Sequence, residues 1–187
     1  MINNITVLKT NESFNQRAKT LAQALIYPGP LDCHYESGLF IGGDSGCGKT
    51  TFIQAYLIPQ MKKLENEEAI VVYRSLSEGL DKGISVTSNI HDALGVEQGT
   101  IAEHLTQWIH TSSRDVILIL DDIQLSQCSQ DGKISLFSLK AARDAVNINP
   151  EITHRFLLIG VGSPLAEIHK LVWRRDAAFY GAALMEL

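Results

Sequence analysis

Cysteine is scarce in this chain. Cys33, Cys47 and Cys128 are odd in number and scattered over 187 residues. They imply no disulfide framework, and no pair has the spacing of a zinc site. Such usage suits a reducing compartment, so a cytoplasmic location is expected. Long apolar runs are also missing. None approaches the ~20 residues that cross a bilayer, so no membrane partner is expected. The opening stretch MINNITVLKTNES lacks the charged region, apolar region and cleavage site of a secretory signal. Basic residues are outnumbered: 16 Lys and Arg stand against 21 Asp and Glu, a net charge of −5. A strongly basic nucleic-acid binder is excluded on composition, which leaves a local basic patch as the route to such a ligand. The six histidines form no HExxH-like pattern, and there is no internal repeat or low-complexity tract. What remains is an ordinary globular balance, 45% hydrophobic and 20% charged. The length fits one domain over 1–187, with a helical lead-in to about residue 36.

Periodicity places alternating helices and strands along this length. Phe14, Ala18, Leu21 and Leu25 share a helical face over 12–26, with Asn11 as N-cap and Pro28-Gly29-Pro30 as the stop. Residues 38–42 read as a buried strand. A helix follows with Phe52, Ile53, Tyr56, Leu57 and Met61, bent or shortened by Pro59. AIVVYR (69–74), VILIL (116–120) and RFLLIG (155–160) are further strands, and 178–187 holds a fifth. Between them, 75–99 offers only a short helix over Asn89–Leu94. Thr100 and Glu103 form a capping box ahead of Ile101, Leu105, Trp108 and Ile109. A helix over 133–147 is expected to turn Ile134, Phe137, Ala141 and Ala145 inward, and a last helix runs from Ser163-Pro164 to about Arg174. The strands are continuous apolar runs, so both sheet faces are covered and the fold is a parallel α/β sandwich.

The densest signal is GGDSGCGKTT, residues 42–51. Gly43-Asp44-Ser45-Gly46-Cys47-Gly48-Lys49-Thr50 matches GxxxxGK[ST] in full, between a strand and a helix, with Thr51 next in line. Glycines let backbone N–H groups converge on an anion, and the helix start adds its positive dipole end. Lys49 can reach the β and γ phosphates of a nucleotide, and the Thr50 hydroxyl can ligand Mg²⁺. The plainer alternative is a Gly-rich turn without a ligand. A second element is VILILDD (116–122), where a buried strand ends in a carboxylate. Asp121 stands where it can hold Mg²⁺, and Asp122 where it can polarise water; the alternative for Asp122 is a cap on the following turn. Ser163, past the fourth strand, is either a polar sensor of the γ-phosphate or the N-cap of a helix with Pro164 at its first position. Arg174 and Arg175 are either charges complementing a helix C-terminus or an arginine finger acting on a neighbouring subunit.

With these motifs the stretch from Gly38 to Arg175 resembles the AAA+ P-loop ATPases, nearest to the group containing origin-recognition, transposition and secretion-linked ATPases. The resemblance implies an AAA+-like core that binds ATP and Mg²⁺, hydrolyses ATP, assembles with itself, and works as a switch or motor on DNA or a protein partner. It departs from the usual pattern in three places. Asp121-Asp122 replaces Asp-Glu, Ser163 replaces Asn or Thr, and the helical lid with its second sensor arginine is expected to be absent from this chain. Two other readings stay open. The Asp-Asp pair is similar to STAND-type signalling NTPases that store nucleotide, although GVGSP replaces their Thr-Thr-Arg. A small-molecule phosphotransferase fits by size but wants an arginine-rich lid, and 123–154 offers only Arg143. No NKxD-like guanine reader and no LSGGQ-like signature occur.

Overall fold

A computed structural model describes residues 13–27, 35, 37–64 and 69–187. Asn11, the Pro28-Gly29-Pro30 stop and Cys33 lie outside the described residues. Helix α1 (Phe14–Ile26) buries Ala18, Leu21, Ala22, Leu25 and Ile26. Strand β1 (Leu39–Gly42) leads through the Gly-rich loop into α2 (Lys49–Thr51), a π-helical stretch (Phe52–Leu57) and α3 (Ile58–Leu64). The widened turns have a cause in Pro59. Its ring would collide with the carbonyl one α-turn back, and opening that turn, with Ile58 N–H donating to the Ile53 carbonyl, lets the helix continue. Pro59 therefore reshapes this helix rather than ending it.

Strand β2 (Ala69–Ser75) is followed by α4 (Leu76–Asp81) and α5 (Val86–Leu94). The sequence expectation held only the end of α5. Both helices are set by local caps: Ser75 accepts from Glu78 N–H, Ser85 from Ser88 N–H, and Gly95 closes α5 in the left-handed region. Helix α6 (Ile101–Ser112) opens on the expected capping box. Strand β3 (Asp115–Asp121), a 3₁₀ turn (Ile123–Cys128), α7 (Gln130–Asn147), β4 (Phe156–Gly162), α8 (Leu165–Trp173) and β5 (Ala183–Glu186) complete the order.

All pairings are parallel, in the order β2-β3-β4-β1-β5. The three inner strands β1, β3 and β4 are buried on both sides, whereas the edge strand β2 is half-buried from Ile70 to Arg74. One face packs Ile117, Ile119, Ile41 and Ile159 against α1 and the Phe52–Met61 helix; the other packs Leu118, Leu120 and Phe40 against α5 to α8. Because β4 lies between β1 and β3, the loop after β1 and the end of β3 meet at one edge, the carboxyl ends of the strands.

Two expectations are corrected here. Helix α7 turns Leu136, Leu139, Ala142 and Val146 inward, whereas Ile134 and Phe137 are 55% and 52% exposed and Ala141 and Ala145 also face outward. This helix carries two apolar stripes at helical spacing, and the one with larger aliphatic side chains is buried. Helix α8 ends at Trp173, with Arg174 already extended, so neither arginine lies within its last turn.

Candidate functional site

The loop 43–48 is built around its glycines. A Cβ on Gly43 would fall 2.7 Å from the Leu187 carbonyl oxygen and 2.9 Å from Cys47 Sγ. Gly48, the residue ahead of α2, has φ 92°, which an L side chain adopts only under strain. Phe14 of α1 lies against Gly48 and packs edge-on against Phe52, tying the loop's helix to the core. Asp44, Ser45 and Gly46 are exposed, as are Thr50 and Thr51, and Cys47 is half-buried.

Lys49 is buried, 8% exposed, and its ammonium turns back into the loop. It donates to the carbonyls of Asp44 at 2.6 Å and Gly43 at 3.2 Å, and lies 3.5 Å from Cys47 Sγ. A cation is thus already held inside the backbone cradle.

The two separate motifs meet at one atom. Thr50 Oγ1 donates to Asp121 Oδ2 at 2.8 Å across 71 residues of sequence. Asp121 is 3% exposed. Its Oδ2 also accepts from the Tyr73 hydroxyl at 3.1 Å, and its Oδ1 accepts from Asp122 N–H at 2.9 Å. Burial first, and the Asp121 charge second, push the Tyr73 hydroxyl above its ordinary range, so it stays protonated and donates. Tyr73 was no sequence candidate. The signal for it is pairing: once β2 lies beside β3 with Ser75 opposite Asp121, alternation puts Tyr73 and Ser75 on the face of that carboxylate.

Asp122 has φ 58° and stands just before the 3₁₀ turn, but its side chain caps nothing. The carboxylate instead accepts from the Ser77 hydroxyl at 2.5 Å, and Ser77 lies 2.9 Å from Ser75 Oγ. Ser163 is not a cap either: α8 begins behind Pro164 without a side-chain cap. Ser163 N–H donates to Gln124 Oε1 at 3.2 Å, which links the ends of β3 and β4. The arginines are apart from this cluster. Helix α8 starts at the strands' carboxyl edge and spans nine residues, about 14 Å at ~1.5 Å per residue, so Arg174 and Arg175 sit past its far end. Both are exposed, and Arg174 is ion-paired with Asp176 at 2.6 Å.

No family model matches the chain, and no curated protein matches it. Solved structures do. The ORC2 protein of Aeropyrum pernix, in ADPNP-ADP complexes, superposes with a TM-score of 0.66 at 15% identity, over 100% of this chain and 50% of that one. The ORC1 protein of Aeropyrum pernix in complex with DNA gives 0.60 at 20% identity, over 92% of this chain and 43% of that one. Domain III of the Thermotoga maritima replication initiation protein DnaA gives 0.53 at 19% identity, over 94% and 63%. The chain spans half or less of the two ORC proteins. At these identities the likeness is one of fold: a parallel sheet sandwiched by helices, the architecture of an AAA+-like P-loop NTPase core. Among the described residues no helix is long and apolar enough to cross a membrane.

Proposed function

We propose that this chain binds ATP with Mg²⁺ at the loop 43–51 and hydrolyses it as an AAA+-type ATPase. In this reading it assembles with itself and acts as a switch or motor on DNA or a protein partner. One observation carries the proposal. The Thr50 hydroxyl and the Asp121 carboxylate, far apart in sequence, are brought to 2.8 Å beside a buried lysine in a glycine cradle. A hydroxyl and a carboxylate suit Mg²⁺, which takes one or two protein oxygens and completes its shell with phosphate oxygens and water. Bound there, the metal would neutralise charge on the phosphates.

The remaining chemistry falls to the chain's own groups. Backbone N–H groups of residues 43–48 cradle the phosphates. Lys49 exchanges the Gly43 and Asp44 carbonyls for phosphate oxygens. Asp122 takes a proton from water as the water oxygen bonds to the γ-phosphorus and the bond to the bridging oxygen breaks, leaving ADP and inorganic phosphate. Ser163 stands at the end of β4 as the candidate sensor of the γ-phosphate. Arg174 and Arg175, a helix length from the loop edge and exposed, are suited to reach a neighbour's nucleotide rather than their own. DNA as a partner is supported by the fold likeness to a DNA-bound ORC1 protein.

A second reading, nucleotide storage with slow turnover, is favoured by Asp122 itself. It is a methylene shorter than Glu, and its carboxylate is engaged by Ser77. ATP turnover, measured with and without DNA across a protein concentration series, separates the two. Turnover that rises with concentration supports the assembling ATPase, whereas retained ADP without turnover supports storage. Absence of ATP binding would sink both.

A further inference from the structure

Gln124 follows Asp122 by two positions, in the 3₁₀ turn (Ile123–Cys128) that leaves β3, and is half-buried. Its carboxamide is fixed at one end and open at the other. Oε1 accepts the Ser163 N–H at 3.2 Å. A backbone N–H only donates, so it identifies the oxygen end of the amide and puts Nε2 on the opposite branch. The oxygen is also pressed against β4: a Cβ on Gly162 would fall 2.1 Å from Oε1 and 3.3 Å from Cδ. Glycine at this position is what gives the amide its seat. Nε2, with two N–H donors, has no hydrogen-bond partner among the described residues. Gln127 of the same turn differs, its Nε2 donating to the Glu167 carbonyl at 3.2 Å.

The seat adjoins the glycine loop. Gly162 is the register partner of Gly42, the residue directly ahead of that loop, and neighbouring strands lie about 4.8 Å apart. The amide therefore stands at the carboxyl edge of the sheet, between the loop entrance and the turn that follows Asp122. The turn itself is fixed. Leu125 N–H donates to the Asp122 carbonyl at 3.0 Å, the Ser126 hydroxyl to the Ile123 carbonyl at 2.6 Å, and Gln127 ties its far end to α8. A donor pair preset in this way gives up little conformational freedom on meeting an acceptor.

We propose that Gln124 reads the third phosphate: its Nε2 donates to a γ-phosphate oxygen and makes the site prefer ATP to ADP. The proposal rests on the ATP reading of this site given above. What Gln124 leaves open is a pair of donors, and an anionic oxygen is the acceptor that rewards them most. An attacking water is a poorer match, because it must be held by acceptors for its protons and the amide oxygen is turned to Ser163. The loop 43–48 and Lys49 serve the phosphates nearer the nucleoside, so the group beside Asp122 and Gln124 is the γ-phosphate. With ADP the two donors lack this acceptor.

Titration calorimetry of the intact chain with ADP and with a non-hydrolysable ATP analogue, both with Mg²⁺, tests this. Gln124→Glu is the decisive variant. A carboxylate of the same shape still accepts from Ser163 N–H, but it sets an anionic oxygen where Nε2 stood. The analogue should bind roughly 10–100-fold more weakly, with ADP affinity and Tm as in the wild type. Gln124→Met keeps the length without either polar end; it should show the same loss of preference, and it serves if the carboxylate disturbs folding. A group that only caps β4 would give the reverse order, with Gln124→Glu close to the wild type and Gln124→Met weaker for both nucleotides alike. A ratio of the two affinities that is unchanged or raised in either folded variant would overturn the inference, while wild-type binding leaves the ATP reading standing. A wild-type chain that binds neither nucleotide would overturn both.

Discussion

Replacing Tyr73 by Phe removes one hydroxyl and keeps the ring. Asp121, 3% exposed, then loses one of its three donors, keeping Thr50 Oγ1 and Asp122 N–H. A hydrogen bond to a charged acceptor is worth about 1.5–3 kcal/mol. This one is 3.1 Å long and only half-buried, so the lower end, about 1.5 kcal/mol, is expected. For a chain of this size that is a fall in Tm of roughly 3–6 °C near neutral pH. The difference should also depend on pH. The folded-state pKa of Tyr73 is raised above its ordinary 10.0 by burial and by Asp121. A raised pKa gives stability that is fully present below the unfolded value and is lost as pH climbs from there towards the folded one. The gap in Tm between the wild-type protein and the Tyr73→Phe variant should therefore hold up to about pH 9 and narrow by about pH 11. Thermal melts followed by circular dichroism across that range measure it. In the same variant Mg²⁺-dependent ATP affinity should weaken while metal-free affinity is unchanged, because the hydroxyl orients the carboxylate and touches no phosphate. An unchanged Tm near neutral pH, or a gap that widens with pH, would refute the placement of this hydroxyl on Asp121.

Lys49→Ala should weaken ATP binding by at least about tenfold in isothermal titration, since the backbone cradle alone holds only part of the phosphate charge; equal affinity would remove the loop from the site. Asp121→Ala should lose the Mg²⁺ dependence of binding. Asp122→Asn should bind as before yet turn over about 10²–10⁴ times more slowly, as expected for a group acting only in the chemical step, and wild-type turnover in that variant would place the base elsewhere. Arg174→Ala or Arg175→Ala should abolish the rise of specific activity with protein concentration while sparing binding, a finger's contribution being on the order of 10³–10⁵ in rate. Mixing either with Lys49→Ala should restore part of the activity, and a concentration-independent rate that survives both substitutions would leave them as surface charges.

What could be read without coordinates was whatever is encoded in neighbouring residues. The glycine loop can be read as a candidate phosphate cradle because three glycines, a lysine and a threonine stand within eight positions, and the capping box at Thr100 works over three. The short caps at Ser75, Ser85 and Gly95 are equally local, yet α4 was missed: its six residues hold too few apolar repeats for a period to show. Long-range contacts were hidden for a different reason. Tyr73 and Ser77 acquire roles only when β2 pairs with β3, and nothing near either residue announces that neighbour. Asp122 illustrates the cost of judging a carboxylate by its place in the chain. Position suggested either a base or a turn cap, but the structure gives its side chain to Ser77, a hydroxyl 45 residues away.

Helix α7 is the hardest case, because its pattern has two solutions. A single seam of apolar residues identifies the buried side of a helix; two seams only say that both sides want to leave water. The choice between them is made by what the sheet offers. Leu136, Leu139 and Val146 supply the volume that fills the space over β4, and Gly132 permits the approach: a Cβ there would lie 2.2 Å from the Ser126 carbonyl oxygen. Turning the helix to bury Ile134 and Phe137 would put Ser135 into water, breaking its contact with Thr87 Oγ1 at 2.7 Å and with it the Thr87–Asp131 clasp between α5 and α7. That polar clasp fixes the rotation of the helix about its axis, and the second apolar seam is left on the surface as a consequence.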